Sequence, residues 1–162
     1  MRAVVDASPL IYLVKIGRLE LLDQYEEILV PPEVLSGIER GLEAGHTEFL
    51  QVRGLLEGRR LRVRKAGKPR AEWNLGHGEA AVLALALRAR ADEVVVDDRA
   101  AIGVAKYMGL RPISVPFLLL RERRSGGLAQ TSFEGSLRQL MSTGYYLSPN
   151  LHQKLVVAGR GR

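Results

Sequence analysis

The chain has 162 residues, of which 46% are hydrophobic, so it is long enough and apolar enough to build one domain around a core. It contains no cysteine, which excludes disulfides, thiolate metal ligands and a cysteine nucleophile. Lys and Arg number 24 against 18 Asp and Glu, and the net charge of +6 favours phosphate-rich partners, although solubility alone would also explain it.

Predicted strands and helices alternate along the chain. Ser8 is predicted to cap the first helix and Pro9 to occupy its first turn, and Gly17 is predicted to end it. The predicted strands cover residues 2–5, 28–30, 61–63, 93–96 and 112–115. The predicted helices cover residues 9–16, 19–25, 32–40, 46–56, 78–88, 99–108, 133–141 and 148–157.

This alternation predicts an α/β fold: a three-layer α/β/α sandwich with a central parallel sheet of four or five strands. We expect a single domain over residues 1–157, followed by a disordered basic tail at 158–162. No apolar run reaches the roughly 20 residues that a membrane span needs, and the N-terminus resembles a strand rather than a signal peptide. A cytoplasmic protein without membrane association is therefore expected.

Four carboxylates are predicted to meet at one edge of the sheet. Asp6 follows the first strand, Asp97 and Asp98 follow the valine-rich strand, and Glu79 begins a helix that is apolar nearly all round. Helix capping or the helix dipole would explain each acid taken alone. Ligands of parallel sheets bind beyond the carboxyl ends of the strands, and carboxylates gathered there repel one another unless a cation lies among them. Hard oxygen ligands favour Mg²⁺ or Mn²⁺, which can activate water against a phosphodiester.

Several stretches resemble the PIN-domain family, in particular small prokaryotic members related to the VapC-type toxins of toxin–antitoxin pairs. They are VVDASPLIYLVKIGRLELL, ILVPPEVLSGI, GHGEAAVLALALRARADEVVVDDRAA with the following VAKYMGL, and LMSTGYYLSPNLHQKLVVAG. The resemblance implies an α/β/α sandwich that hydrolyses RNA as a metal-dependent endoribonuclease using metal-activated water. It also implies RNA as substrate, a homodimer and, for a toxin, an antitoxin protein as partner.

Residue by residue, the resemblance makes Asp6, Glu79 and Asp98 the catalytic and metal-binding acids, with Asp97 as a further metal ligand beside them. Ser8 resembles a small hydroxyl residue that often faces the same pocket.

The sequence departs from the family at one acidic position. Family members usually carry another acid after the Pro-x-x-Val element, where this chain has Gly37. Glu33 lies on the same helical face as Gly37, whereas Glu39 lies about 200° round the helix. Either Glu33 or Glu39 supports the site, or both face water, in which case metal affinity is weak or the nuclease is degenerate.

The segment 53–70 holds eight Lys or Arg against one Glu. It is either a surface that follows a phosphate backbone or a solvated loop. The candidate nucleic-acid-binding residues within it are Arg59, Arg60, Arg62, Arg64 and Lys65. Trp73 is expected to anchor the core and His77 to lie on the surface, although stacking on a base and contact with phosphate are the alternatives.

Two functions therefore compete. The first is the metal-dependent ribonuclease, and the second is a degenerate PIN-fold module that binds RNA or a protein partner without cleavage. An aspartyl-phosphate phosphatase acting through Asp6 fits poorly, because Ser8 stands where such enzymes carry a second acid.

Overall fold

A five-stranded parallel sheet forms the centre of the molecule. The computed structural model describes residues 1–47, 49–58 and 60–161. The strands run in the order β3-β2-β1-β4-β5, and all four pairings are parallel. Their bounds are β1 Arg2–Val5, β2 Glu27–Val30, β3 Leu61–Val63, β4 Glu93–Val95 and β5 Pro112–Ile113. The predicted α/β fold with a parallel sheet is confirmed.

Helices flank this sheet. In the described part of the chain they are α1 Ala7–Lys15, α2 Pro32–Glu43, α3 Phe49–Glu57, α4 His77–Ala89, α5 Arg99–Tyr107, α6 Val115–Ser125, α7 Gln130–Ser142 and α8 Pro149–Arg160, with short 3₁₀ helices at Leu19–Gln24 and Ala71–Trp73. Helix α4 is buried along its whole middle section, residues 80–86, as its continuous apolar sequence predicts. Within the described residues, no helix combines the length and apolar character that crossing a membrane requires.

Strand β1 occupies the middle of the sheet, because β2 pairs with one of its edges and β4 with the other. The chain reaches β2 directly from β1 and returns to β4 only later, so the order of the strands reverses direction between β1 and β4. In open α/β sheets, a crevice forms at this position beyond the carboxyl ends of the strands. The backbone N–H of Asp6 donates to the carbonyl of Val95 at 3.0 Å, which places Asp6 at the mouth of that crevice.

Two predictions about the C-terminal third are wrong. The strand expected over 112–115 ends at Ile113, and the next residues form α6, which the sequence analysis missed because the charged run at 121–124 obscures its apolar face. The disordered tail expected from residue 158 is also wrong for residues 158–160, which continue α8. Gly159 is buried there against Phe133, and a larger residue would collide with that ring, which lies 2.7 Å from the position that a Cβ would take.

A buried polar network closes the opposite, amino edge of the sheet. Glu93, at the start of β4, is 4% exposed, and it accepts hydrogen bonds from the Tyr25 hydroxyl at 2.5 Å and from Arg121 at 2.8 and 2.9 Å. Arg121 also donates to the Tyr25 oxygen at 2.7 Å. Burial and the bond to Glu93 raise the pKa of Tyr25, which therefore stays protonated. These contacts connect β4, the turn before β2 and helix α6.

Replacing Arg121 with Met should destabilise the fold, because Glu93 is left buried without its main cationic partner. We expect a loss of about 2 kcal/mol in the free energy of unfolding, below the roughly 3–5 kcal/mol of fully buried pairs because Arg121 is partly exposed. Urea denaturation measures this loss. Arg124→Met, at an exposed position of the same helix, should change stability by less than about 0.5 kcal/mol. Equal effects of the two substitutions would contradict the structural role of the network.

Candidate active site

Asp6 is a buried carboxylate at the end of the central strand. Its backbone is extended and it is the N-cap of α1, with the Oδ1 atom accepting a hydrogen bond from the Ala7 N–H at 2.7 Å. The residue is only 6% exposed. The prediction that Ser8 caps this helix is wrong, because the helix begins one residue before Ser8 and Asp6 takes the capping role. Ser8 is exposed instead, which leaves its hydroxyl available to the space beside Asp6.

A cavity of about 500 Å³, which we call the acidic cavity, opens beside Asp6. Its walls come from the first turns of α1 and α4 and from one face of α2. Its lining residues are Asp6, Ala7, Ser8, Glu33, Val34, Ser36, Gly37, Arg40, His77, Gly78 and Glu79. Glu39 lines a different cavity, with Leu35, Ile38, Leu42, Arg53 and Leu56. Of the two acids considered as replacements at the Gly37 position, only Glu33 therefore shares a cavity with Asp6 and Glu79.

Two glycines leave space for the carboxylates. A Cβ atom at Gly76 would lie 2.5 Å from an oxygen of Glu79, so a side chain there would displace the Glu79 carboxylate. A Cβ atom at Gly78 would lie 3.9 Å from Oδ1 of Asp6, in ordinary van der Waals contact. A glycine at position 76 is therefore needed for this position of the Glu79 carboxylate, whereas the space beside Gly78 would accept a Cβ.

Asp97 and Asp98 have structural roles as well as predicted functional ones. Oδ1 of Asp97 accepts hydrogen bonds from the N–H of Val115 at 3.0 Å and from the hydroxyl of Tyr145 at 2.6 Å. Oδ1 of Asp98 accepts from the N–H of Ala101 at 2.9 Å and caps α5, the ordinary role that its sequence position indicated. Asp97 thus fixes the start of α6 and the loop before α8 against the carboxyl edge of the sheet.

The electrostatics show that the predicted acids influence one another. Burial raises the pKa of Asp6, the hydrogen bond from Ala7 lowers it, and the charges of Glu79, Asp97 and Asp98 raise it, so that together they bring it to about 6. Burial also raises the pKa of Asp97. Glu79, Asp97 and Asp98 therefore lie close enough to Asp6 for their charges to affect its pKa.

The donor chemistry of this site fits a hard divalent cation, because every predicted ligand is a carboxylate or hydroxyl oxygen. Oδ2 of Asp97 is buried without a hydrogen-bond partner, and a cation would relieve both this atom and the repulsion at Asp6. In residues 1–47, 49–58 and 60–161, however, no three metal-ligating side chains are close enough to hold an ion together. The carboxylates of the described residues lie in the same part of the fold, but no three of them are arranged to coordinate one ion.

Two residues at this site were missed by the sequence analysis. Arg40 lines the acidic cavity, and its Nη2 atom lies 3.9 Å from the position of a Cβ at Gly37. Tyr145 donates to Asp97 and packs edge to face on Tyr12 with ring centroids 4.9 Å apart. The position of Arg40 three residues after Gly37 could have indicated a shared helical face. No signal local to Tyr145 relates it to Asp97, 48 positions earlier.

Of the candidate nucleic-acid-binding residues in segment 53–70, some form ion pairs and others line a cavity. Arg59 lies outside the described residues. Arg60 pairs with Asp23, and Arg62 lies 3.9 Å from Glu27. Arg64 and Lys65 line a second cavity, away from the acids.

The two aromatic residues singled out in the sequence lie at different depths. Trp73 is buried and belongs to the core, where it is not available to stack on a base. His77 is exposed at the rim of the acidic cavity.

Comparisons with known proteins agree with this fold. A family model described as PIN domain matches residues 2–158. A PilT N-terminus domain protein from the archaeon Sulfolobus solfataricus has a similar structure, with 21% identity, a TM-score of 0.52 and coverage of 73% of this chain and 90% of that one. A domain of a functionally unknown protein from Methanocaldococcus jannaschii gives 19% identity, a TM-score of 0.50 and coverage of 70% and 90%. No curated protein matches the chain.

Asp6→Asn should stabilise the metal-free protein at neutral pH. The pKa of Asp6 is higher in the folded state than its ordinary 3.8, so ionisation destabilises the fold as pH rises from about 4 to about 6. The difference corresponds to at most about 3 kcal/mol. Denaturation in EDTA should therefore show a gain for Asp6→Asn at pH 7.5 that disappears near pH 3.5.

Glu43→Gln provides the matched control, since Glu43 is an exposed carboxylate at the end of α2 outside the acidic cavity. It should show no comparable pH-dependent gain. A gain for Asp6→Asn that is constant from pH 3.5 to 7.5 would show that ionisation of Asp6 is not its cause.

Proposed function

Because the chain belongs to the PIN-domain family, whose members commonly have nuclease activity, we propose that it is a Mg²⁺- or Mn²⁺-dependent endoribonuclease. One observation supports this proposal above the others. Asp6 is buried at the end of the central strand, shares a cavity with Glu33 and Glu79, and is within electrostatic range of Asp97 and Asp98. A fold that keeps repelling carboxylates together at a crevice suits the binding of a cation and of a phosphodiester beside it.

Asp6 and Glu79 would hold the cation, with Asp98 and the second oxygen of Asp97 as further ligands. Glu33 would supply the carboxylate missing at Gly37, because it projects into the acidic cavity from the same face of α2. PIN domains typically use divalent metals; such a cation polarises the phosphodiester and lowers the pKa of water.

Other side chains of the acidic cavity would position the RNA. The guanidinium of Arg40 can donate two parallel hydrogen bonds to phosphate oxygens. The Ser8 hydroxyl is exposed on the opposite wall and can donate to the same group or to an attacking water. The hydrogen bonds of Asp97 to Val115 and Tyr145 hold one wall of the site in place.

The wider assignment is part of the same proposal. We infer that the protein acts in the cytoplasm as a homodimer, and that it is the toxin of a toxin–antitoxin pair with a protein antitoxin as partner. The resemblance of the sequence to small prokaryotic PIN toxins supports this.

A non-catalytic module that binds RNA or a protein partner is the alternative. Two observations favour it: Gly37 stands where the family usually has an acid, and the described residues contain no closed group of three metal-ligating side chains. Metal binding distinguishes the two functions, because a degenerate site would not bind Mn²⁺ in an Asp6-dependent manner.

Purified protein should cleave mixed single-stranded RNA in the presence of Mn²⁺, and Asp6→Asn should reduce the rate by at least about 100-fold, since metal-assisted catalysis contributes several kcal/mol. Initial rates from labelled RNA on denaturing gels measure this. Glu43→Gln should retain the wild-type rate. Equal cleavage by the wild type and Asp6→Asn would mean that the assigned site is wrong.

Glu33→Gln and Glu39→Gln form a matched pair on α2. Glu33→Gln should weaken Mn²⁺ binding by about tenfold, or about 1.4 kcal/mol, because Glu33 shares the cavity with Asp6, whereas Glu39→Gln should change it by less than about twofold. Isothermal titration calorimetry in the absence of RNA provides the measurement. A larger loss for Glu39→Gln would place the replacement acid on the other face of α2.

A further inference from the structure

A second cavity, which we call the basic cavity, lies at the C-terminal end of α4 and has a volume of about 450 Å³. Its lining residues are Arg2, Glu27, Leu29, Arg64, Lys65, Leu85, Arg88 and Ala89. Four of these eight side chains are cationic and one is anionic. The volume falls within the range of ordinary ligand sites.

The anionic side chain is already neutralised. Glu27 accepts a hydrogen bond from Arg2 and lies 3.9 Å from Arg62. In the described part of the chain, no carboxylate forms an ion pair with Arg64, Lys65 or Arg88. These three exposed cations therefore face the basic cavity with their charges uncompensated, which makes it attractive to an anion.

The backbone holds the cations in place. The N–H of Arg64 donates to the carbonyl of Val30 at 3.0 Å and extends the β2–β3 pairing by one residue. Gly67 is pressed against α4, where a Cβ would lie 3.2 Å from the carbonyl of Ala84. Segment 64–67 is therefore fixed between the sheet and α4, so little backbone entropy is lost when an anion binds.

We propose that the basic cavity binds the phosphate backbone of the RNA that the acidic cavity acts on. The ligand identity rests on the proposed function. The two cavities lie at opposite ends of α4, whose middle section, residues 80–86, is buried, so the RNA would pass from one cavity to the other along segment 66–76, which joins them. The chain between the cavities carries two more exposed cations, Lys68 and Arg70.

The separation of the two cavities suits a short stretch of RNA. Glu79 and Arg88 are about 14 Å apart along the axis of α4, at about 1.5 Å per residue. This corresponds to about four nucleotides of a stacked strand, at about 3.4 Å per nucleotide. The leucine floor of the basic cavity provides apolar contact for one sugar or base, while the guanidinium groups bind phosphate.

The test measures binding separately from cleavage. In the Asp6→Asn background with EDTA, fluorescence anisotropy of a labelled oligouridylate is followed against salt concentration. Adding Arg64→Ala with Lys65→Ala should weaken binding by about tenfold and reduce the salt slope by about 0.7 for each phosphate contact removed. Arg88→Gln should give about half of that reduction in slope. All three residues are exposed, so the fold should be retained.

Arg138→Ala with Lys154→Ala is the matched control, because both residues are exposed, lie on α7 and α8 and are not among the residues that line this cavity. An equal loss of binding in the control pair would show that only net charge matters and would overturn the proposal. Competition by uridine monophosphate or inorganic phosphate as strong as that by the oligomer would assign the cavity to a small phosphate ligand and would also overturn it.

The outcomes separate this proposal from the proposed function. If the wild type cleaves RNA and the cavity variants bind and cleave as the wild type does, the basic cavity has no role and the nuclease assignment stands. If no protein cleaves RNA but the cavity variants lose binding selectively, the basic cavity is confirmed and the catalytic assignment fails.

Discussion

The site depends on one unfavourable arrangement: a carboxylate buried at the end of the central strand among other carboxylates. The position of Asp6 follows from the sheet, because β1 pairs on both edges and the Asp6 N–H continues that pairing to Val95. Among the residues that the structure describes, a single hydrogen bond, from the neighbouring Ala7 N–H, stabilises its charge. The raised pKa of Asp6 is the direct consequence, and it means that the fold keeps an acid where water would hold the charge more favourably.

A second buried carboxylate, Glu93, lies at the amino edge of the same sheet and has a structural role. Glu93 is as deeply buried as Asp6, yet Arg121 and Tyr25 donate to both of its oxygens. Asp6 and Glu93 are therefore buried to a similar extent but differ in the number of hydrogen bonds that their carboxylates accept. Glu93 therefore has its charge satisfied within the fold, whereas Asp6 keeps a single local donor, and this difference supports the proposed role of Asp6 in binding a cation.

The parallel sheet could be predicted from the sequence, because valine-rich strands and their alternation with helices are local patterns. Tertiary packing in this fold is consistent with those patterns. The sequence also predicted that Asp6, Glu79, Asp97 and Asp98 converge, since the carboxyl ends of parallel strands meet at one edge. Of these acids, Asp6 and Glu79 line the acidic cavity, whereas Asp97 and Asp98 are not among its lining residues. The sequence could not decide between Glu33 and Glu39, because the choice depends on where α2 starts and how it faces β1. The contact between Tyr145 and Asp97 depends on long-range packing that no local pattern contains. Helix α6 was missed for a local reason, because the charged run at 121–124 obscures its apolar face.

The burial of α4 explains why the acidic cavity and the basic cavity lie at its opposite ends. Its apolar middle section packs into the core, so only its two ends can carry charge to the surface. Gly76 near its start leaves room for the Glu79 carboxylate beside the acidic cavity, and Arg88 near its end lines the basic cavity with Arg64 and Lys65. On α2, the Arg40 guanidinium lies beside Gly37 and lines the acidic cavity, where another carboxylate would increase the repulsion at Asp6. Arg40 therefore offsets part of the negative charge of the three carboxylates that line the acidic cavity, Asp6, Glu33 and Glu79, and this lowers the electrostatic penalty for a phosphate that approaches it.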